Sequence, residues 1–351
     1  MEGLNLKQLA AGVRAIAEEK NLPEDKVLDV VEQAIAAAWK HDHDDFRNAD
    51  VRAILNQQTG TAKIVAHYDV VETPEITGQI SLEDAKKIDK KALLAGVIEQ
   101  KFEATTFGRV AAQTAKQVLL QKLREAERET VAKLFDDKVG QILTGTVGRV
   151  EPRVVRIDLG KGEGIMPASE QIVGERLMPG SRIKVLLKEI DRESGHGPTL
   201  ILSRAAPDFV KILFMQEVPE IEAGVVEIKA VAREAGKRTK IAVASNTPGV
   251  DPVGTFVGSK GVRVQAVMNE IGDTEKIDIV TWDADTKNFI ANALSPAEIS
   301  RIELDESDPD AKKATVYVAE AQQSVAIGKQ GQNVRLASAL TGYELDIKTE
   351  E

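Results

Sequence analysis

Cysteine is absent from all 351 residues, which excludes disulfides and thiolate metal sites and fits a reducing, cytoplasmic location. Aromatic residues make up only 4% of the chain and histidines number four. No Ser/His/Asp grouping, metal-ligand cluster or paired-acid signature emerges, so neither catalysis nor a cofactor is expected. No apolar run approaches the roughly 20 residues that cross a bilayer. The start, "MEGLNLKQLAAGVRAIAEEK", carries acids where a secretion signal has a basic segment and an apolar block, so no membrane association is expected. Excess positive charge is also missing. At a formal net charge of -10, any nucleic-acid site must be local.

What is present falls into three textures. Up to residue 138 the chain is helix-rich: Leu6, Leu9, Val13 and Ile16, then Val27, Val31, Ala34 and Ala38 after Pro23, recur at helical spacing. "VRAIL" and "TAKIVAHYDVV" flank "NQQTG" and read as a hairpin. Residues 107–135 read as one long helix with six basic and three acidic residues, and Arg109 and Lys116, seven apart, share a face. Residues 139–206 switch to period two. Five strand-like segments separated by Gly, Pro and Asp suggest a five-stranded OB-type barrel. Lys plus Arg outnumber Asp plus Glu there by 10 to 8, and Phe, Tyr and Trp are missing, so RNA bound there would be gripped by charge more than by stacking.

From residue 207 onward the chain repeats itself. "GSKGVRVQAVMNEIG" at Gly258 and "GKQGQNVRLASALTG" at Gly328 align without gaps over fifteen residues, matching Gly258, Gly261 and Gly272 to Gly328, Gly331 and Gly342. Each copy reads helix, strand, strand, helix, Gly-x-x-Gly, helix, strand, the two units covering 207–282 and 283–351. Neither copy supplies the G-x-x-x-x-G-K-[ST] of a phosphate loop or the first glycine of a dinucleotide fingerprint. The spacing is that of a KH clamp, where residues without a Cβ admit a sugar-phosphate backbone and the second glycine opens a helix toward the phosphates. The expected RNA contacts are Gly258, Ser259, Lys260, Gly261 and Arg263 in the first copy and Gly328, Lys329, Gln330 and Gly331 in the second. Seven basic residues against two acidic ones between Lys229 and Arg263 suggest a basic stripe containing Arg233, Lys237 and Arg238 beside the first clamp. The fold class is thus multidomain α+β: a helical and hairpin N-terminal domain, a five-stranded OB-fold barrel, and two tandem KH domains of the αββααβ order (type II).

Other motifs take plainer readings. "GKGEG" at Gly160 to Gly164 precedes no helix and reads as a barrel turn. His41 and His43 in "HDHDD" are two apart and read as a polar helix terminus, not a metal site. "IELDESDPD" lacks the order of a calcium loop and reads as a solvated acidic turn.

"EIKAVAREAGKRTKIAVAS", "DPVGTFVGSKGVRVQAVMNEIGDTEKIDIV" and "AIGKQGQNVRLASALTGYELDI" together resemble the paired KH modules of the NusA family of bacterial transcription elongation, termination and antitermination factors. "TFGRVAAQTAKQVLLQKLREAERE" resembles the long connecting helix of that family's N-terminal domain. The resemblance runs through essentially the whole chain in family order. It implies an RNA polymerase-binding domain at 1–138, an RNA-binding barrel at 139–206, and KH domains at 207–282 and 283–351. It further implies a monomer that docks at the β-subunit flap near the RNA exit channel and binds nascent single-stranded RNA to alter pausing, intrinsic termination and antitermination. The polymerase α subunit and other Nus antitermination factors are further implied partners, and Arg109 and Lys116 would lie beside emerging RNA. Two other arrangements use similar parts: an RNA-degrading phosphorylase, for which the first 138 residues lack a catalytic core, and a ribosomal or ribosome-assembly protein.

Overall fold

The computed structural model describes residues 5–46, 49–76, 78–104, 107–193, 197–272, 274–305, 307–308 and 312–350. The chain divides into two compact units, Met1–Leu134 with Arg192–Thr199, and Phe135–Asp191 with Leu200–Glu351.

In the first unit, α1 (Leu6–Lys20) starts where the Asn5 side chain accepts the backbone N–H groups of Lys7 and Gln8, and stops at Asn21 in the left-handed region. α2 (Glu24–Asp42) follows Pro23 and buries Val27, Val31, Ala34 and Ala38, as their spacing predicts. The hairpin also forms: β1 (Asp50–Asn56) pairs antiparallel with β2 (Thr61–Val71). β3 (Gln79–Ser81), α3 (Leu82–Ile88) and β4 (Val97–Ala104) follow, with β4 antiparallel to β2 on the side away from β1. β4 is not among the strands expected from the sequence, although "VIEQKFEA" alternates: Val97, Glu99, Lys101 and Glu103 are exposed, while Ile98 and Ala104 are buried and Gln100 and Phe102 partly so. α4 (Arg109–Lys133) is the expected long helix. It meets α2 through an alanine seam of Ala34, Ala38, Ala111 and Ala115, whose small side chains permit close approach.

The second unit opens with β5 (Ile142–Glu151), β6 (Val154–Asp158), β7 (Glu163–Pro167), β8 (Arg182–Asp191) and β9 (Thr199–Ser203), closed in the order β5-β6-β7-β9-β8. Val147, Val155, Ile157, Met166, Val185, Leu187, Leu200 and Leu202 are buried in these strands. "GKGEG" spans the turn between β6 and β7, where the Gly160 N–H donates to the Asp158 carboxylate.

The first KH copy comprises α5 (Pro207–Glu217), a short α6 (Pro219–Glu222), β10 (Val226–Glu234), β11 (Arg238–Ser245), α7 (Pro252–Val257), α8 (Val262–Ile271) and β12 (Lys276–Thr281). The second comprises α9 (Thr286–Ala293), β13 (Arg301–Asp305), β14 (Lys313–Val318), α10 (Glu320–Ile327), α11 (Gln332–Thr341) and β15 (Glu344–Thr349). Each copy has a three-stranded sheet in sequence order, its first pair antiparallel and its second parallel. Apolar packing is continuous through this unit. Ile172 and Leu186 of the barrel join Phe209, Phe214, Ile241 and Phe256 of the first copy, and Ala232, Ala242 and Val280 of the first copy join the core of the second.

Candidate nucleic-acid interface

The two Gly-x-x-Gly loops differ in both central residues yet share one backbone. Gly258 and Gly328 have φ/ψ of 75/170° and 74/171°, Lys260 and Gln330 have 53/25° and 55/28°, and Gly261 and Gly331 have 77/14° and 73/15°. The first glycine occupies a region that side-chain-bearing residues avoid. A Cβ there would also lie 2.8 Å from the Arg263 side chain in one copy and 2.7 Å from Asn333 Cβ in the other. The second glycine is favoured mainly by its left-handed conformation: a Cβ on Gly261 would meet nothing nearer than Val264 at 4.0 Å, and one on Gly331 only the flexible end of Arg335 at 3.2 Å. Ser259, Lys260, Lys329 and Gln330 are exposed at the loop tips, and no hydrogen bond or ion pair holds the Lys260 or Lys329 ammonium among the described residues.

What fastens each loop is the residue two places after its second glycine. Arg263 donates to the Thr255 carbonyl at 2.7 Å and to the Glu220 carboxylate at 2.9 Å, and its guanidinium holds the Glu220 carboxyl below the usual carboxylate range. In the second copy Asn333, 5% exposed, donates to the carbonyls of Leu294, Val325 and Ala326. Thr255 and Val325 occupy the same place in the repeat, so the same carbonyl of the preceding helix is tied down by different chemistry. Ahead of the first loop, the Asp251 carboxylate accepts the Val253 and Gly254 N–H groups and so caps α7.

The basic stripe is corrected by the structure. The Arg233 side chain is fully buried, donating to the equally buried Glu275 at 2.8 and 3.0 Å and to the carbonyls of Arg204 and Ala206. It holds the module together and presents nothing to RNA. Lys240 is also buried, against Asp278 and the Ser295 carbonyl, and that burial pushes its pKa down. Arg238 forms a two-pronged pair with Asp278 at 2.7 and 3.0 Å, leaving its side chain 35% exposed. Lys229 pairs with Glu227 and lies 4.8 Å over the Trp282 ring. Of the seven cations, Lys229, Lys237 in the turn between β10 and β11, and Lys260 are exposed, and Lys229 is already paired with Glu227. Counting charges along the chain missed this because Glu220, Glu275 and Asp278 lie outside the basic window.

In the first unit, Arg109 and Lys116 are both exposed on α4, on the side away from Ala111 and Ala115. "HDHDD" has a structural use. The Asp42 carboxylate accepts the Gly108 N–H at 2.9 Å, anchoring the start of α4, while the His43 ring stacks on Trp39 with centroids 4.1 Å apart. No group of side chains suited to a metal ion occurs among the described residues. In "IELDESDPD", Asp305 accepts from Ser307, and 306 and 309–311 lie outside the described residues. Arg204, unremarked in the sequence, is 2% exposed, and its guanidinium joins Glu175 and the Lys184 carbonyl of the barrel region to Glu270 at the end of α8.

Comparison with known proteins covers most of the chain in segments. Residues 8–129 match the NusA N-terminal domain, 136–196 the S1 RNA binding domain, 204–282 the NusA-like first KH domain and 286–351 the NusA-like second KH domain. The transcription termination/antitermination protein NusA of Bacillus subtilis is 42% identical over 344 residues, covering 98% of this chain and 91% of that protein. Its Thermus thermophilus counterpart is 41% identical over 355 residues, covering 98% and 90%. The protein of that name from Rickettsia conorii is 40% identical over 343 residues, covering 97% of this chain and 67% of that one.

Proposed function

We propose, because the chain belongs to the NusA family of transcription termination/antitermination proteins, that its two Gly-x-x-Gly loops clamp nascent RNA while its N-terminal domain docks on RNA polymerase. The chain is a non-enzymatic transcription factor with S1 and KH RNA-binding domains. Beyond that, the division at 1–138, 139–206, 207–282 and 283–351 gives one polymerase-docking module and three RNA-binding ones. Docking takes place at the β-subunit flap, beside the RNA exit channel, where Arg109 and Lys116 face emerging transcript. Holding the RNA-binding modules there raises their local concentration relative to nascent RNA, so individually weak contacts suffice to alter pausing, termination and antitermination.

The observation that supports the clamp reading is the shared backbone of two loops with different central residues, each carrying one exposed lysine without a partner among the described residues. A backbone preserved while side chains vary is what recognition of sugar-phosphate requires. The overall charge of -10 keeps such contacts local and salt-sensitive. Lys260→Asp combined with Lys329→Asp tests it. RNA affinity should fall while the melting profile stays the same, and unaltered affinity would refute the clamps. For docking, a fragment of residues 1–138 should retain core RNA polymerase in a pull-down, and Arg109→Ala with Lys116→Ala should lower pause enhancement without loss of polymerase binding.

A further inference from the structure

The geometry points to Arg335 as a phosphate-binding residue of the second clamp, held in position by Glu234 of the first KH module. Arg335 lies one turn into α11, and its Nη1 would stand 3.2 Å from a Cβ on Gly331, directly beside the second glycine of the loop. The same nitrogen donates to the Gln330 carbonyl within the loop. From the other side, Nε and Nη2 donate to one oxygen of Glu234 at 3.2 and 2.8 Å, while the second oxygen accepts from Gln332 at 2.9 Å. Glu234 ends β10, so a carboxylate of the first module sets the rotamer of a cation at the second module's loop. The Arg335 side chain remains 55% exposed, and N–H groups on its terminal nitrogens are left over for an incoming phosphate. Lys237, also exposed and from the first module, lies near enough to interact with Glu234, so the second clamp is a composite of both modules.

The repeat sharpens the assignment. The position matching Arg335 in the first copy is Gln265, which bonds Asn269 on its own helix. In the first copy the cation on the helix behind the loop is Arg263, which is turned back onto the Thr255 carbonyl and Glu220, whereas in the second copy Arg335 stays more than half exposed beside the loop.

This inference rests on the clamp reading, and the experiment separates the two. The full chain is titrated against a fluorescein-labelled, unstructured single-stranded RNA at a series of salt concentrations. Arg335→Ala should weaken binding by about tenfold and reduce the slope of log affinity against log salt by about one. Arg335→Lys should keep the slope and part of the affinity. Glu234→Gln should weaken binding without changing the slope, and should add nothing to Arg335→Ala, because it acts only through that residue. A normal slope in Arg335→Ala, whatever its affinity, would overturn the phosphate contact, and additive effects of the two changes would overturn the positioning role. If Lys329→Asp weakens binding and Arg335→Ala does not, Arg335 is wrongly assigned and the clamp stands. If neither matters, the clamp itself is wrong.

Discussion

Replacing Gly328 by alanine should loosen the second clamp far more than the same change three residues later. At φ/ψ 74/171° an L-residue costs about 1–3 kcal/mol. The new methyl would also sit 2.7 Å from Asn333 Cβ and 2.8 Å from its backbone nitrogen, neither of which can swing aside. Moving Asn333 stretches the bonds its two amide hydrogens share among three carbonyls, at about 2 kcal/mol together. Reduced freedom of the unfolded chain returns only about 0.4–1 kcal/mol. The net loss is about 3 kcal/mol, roughly 100-fold more local opening. At Gly331, in the left-handed helical region, the conformational cost is about 1–2 kcal/mol and the nearest atom is the movable end of Arg335. After the same unfolded-chain gain, about 1 kcal/mol or less remains. Hydrogen exchange of the α10 and α11 amides in the full chain reads this difference directly, without assuming two-state unfolding of a multidomain protein. Equal loss of protection in the two variants, or full protection in Gly328→Ala, would refute the reasoning that Asn333 dictates the first glycine.

Asp42→Ala removes the acceptor of the Gly108 N–H and should cost about 1 kcal/mol, read as faster exchange in the first turn of α4. Arg233→Ala leaves the Glu275 carboxylate buried without its cation and should lower stability by about 3–5 kcal/mol in a denaturant titration. An unchanged midpoint with lost RNA binding would return Arg233 to the interface. Partial burial disfavours the charge on Glu234, but hydrogen bonds from Gln332 and Arg335 outweigh it and hold the carboxyl below the ordinary range. Its contribution to stability is thus complete above the ordinary carboxylate value and is lost as pH falls through the depressed one. Glu234→Gln should flatten that part of the acid dependence of α11 exchange, and an identical acid profile would count against the link.

A nucleic-acid-binding surface organised this way makes the two KH modules unequal partners. The first loop is tied to its own module through Arg263 and Glu220. The second is tied to its own module through Asn333 and in addition to the neighbouring module through Arg335 and Glu234, so separating the modules would remove a contact from the second loop that the first does not have.

Much of this was written into the linear order of residues. Glycine spacing and the repeat disclosed both loops, because backbone conformation at Gly258 and Gly328 is a local property that only one residue type satisfies. Alternation disclosed the five barrel strands, and spacing of three and four disclosed α1, α2 and α4, since periodicity needs no knowledge of partners. Which cations face water was decided only by folding. Arg233 and Arg238 find carboxylates 42 and 40 positions away in sequence, Arg204 finds one 66 away, and Arg335 finds one 101 away. Burial and pairing of charge depend on distance in space, and no count along the chain measures it.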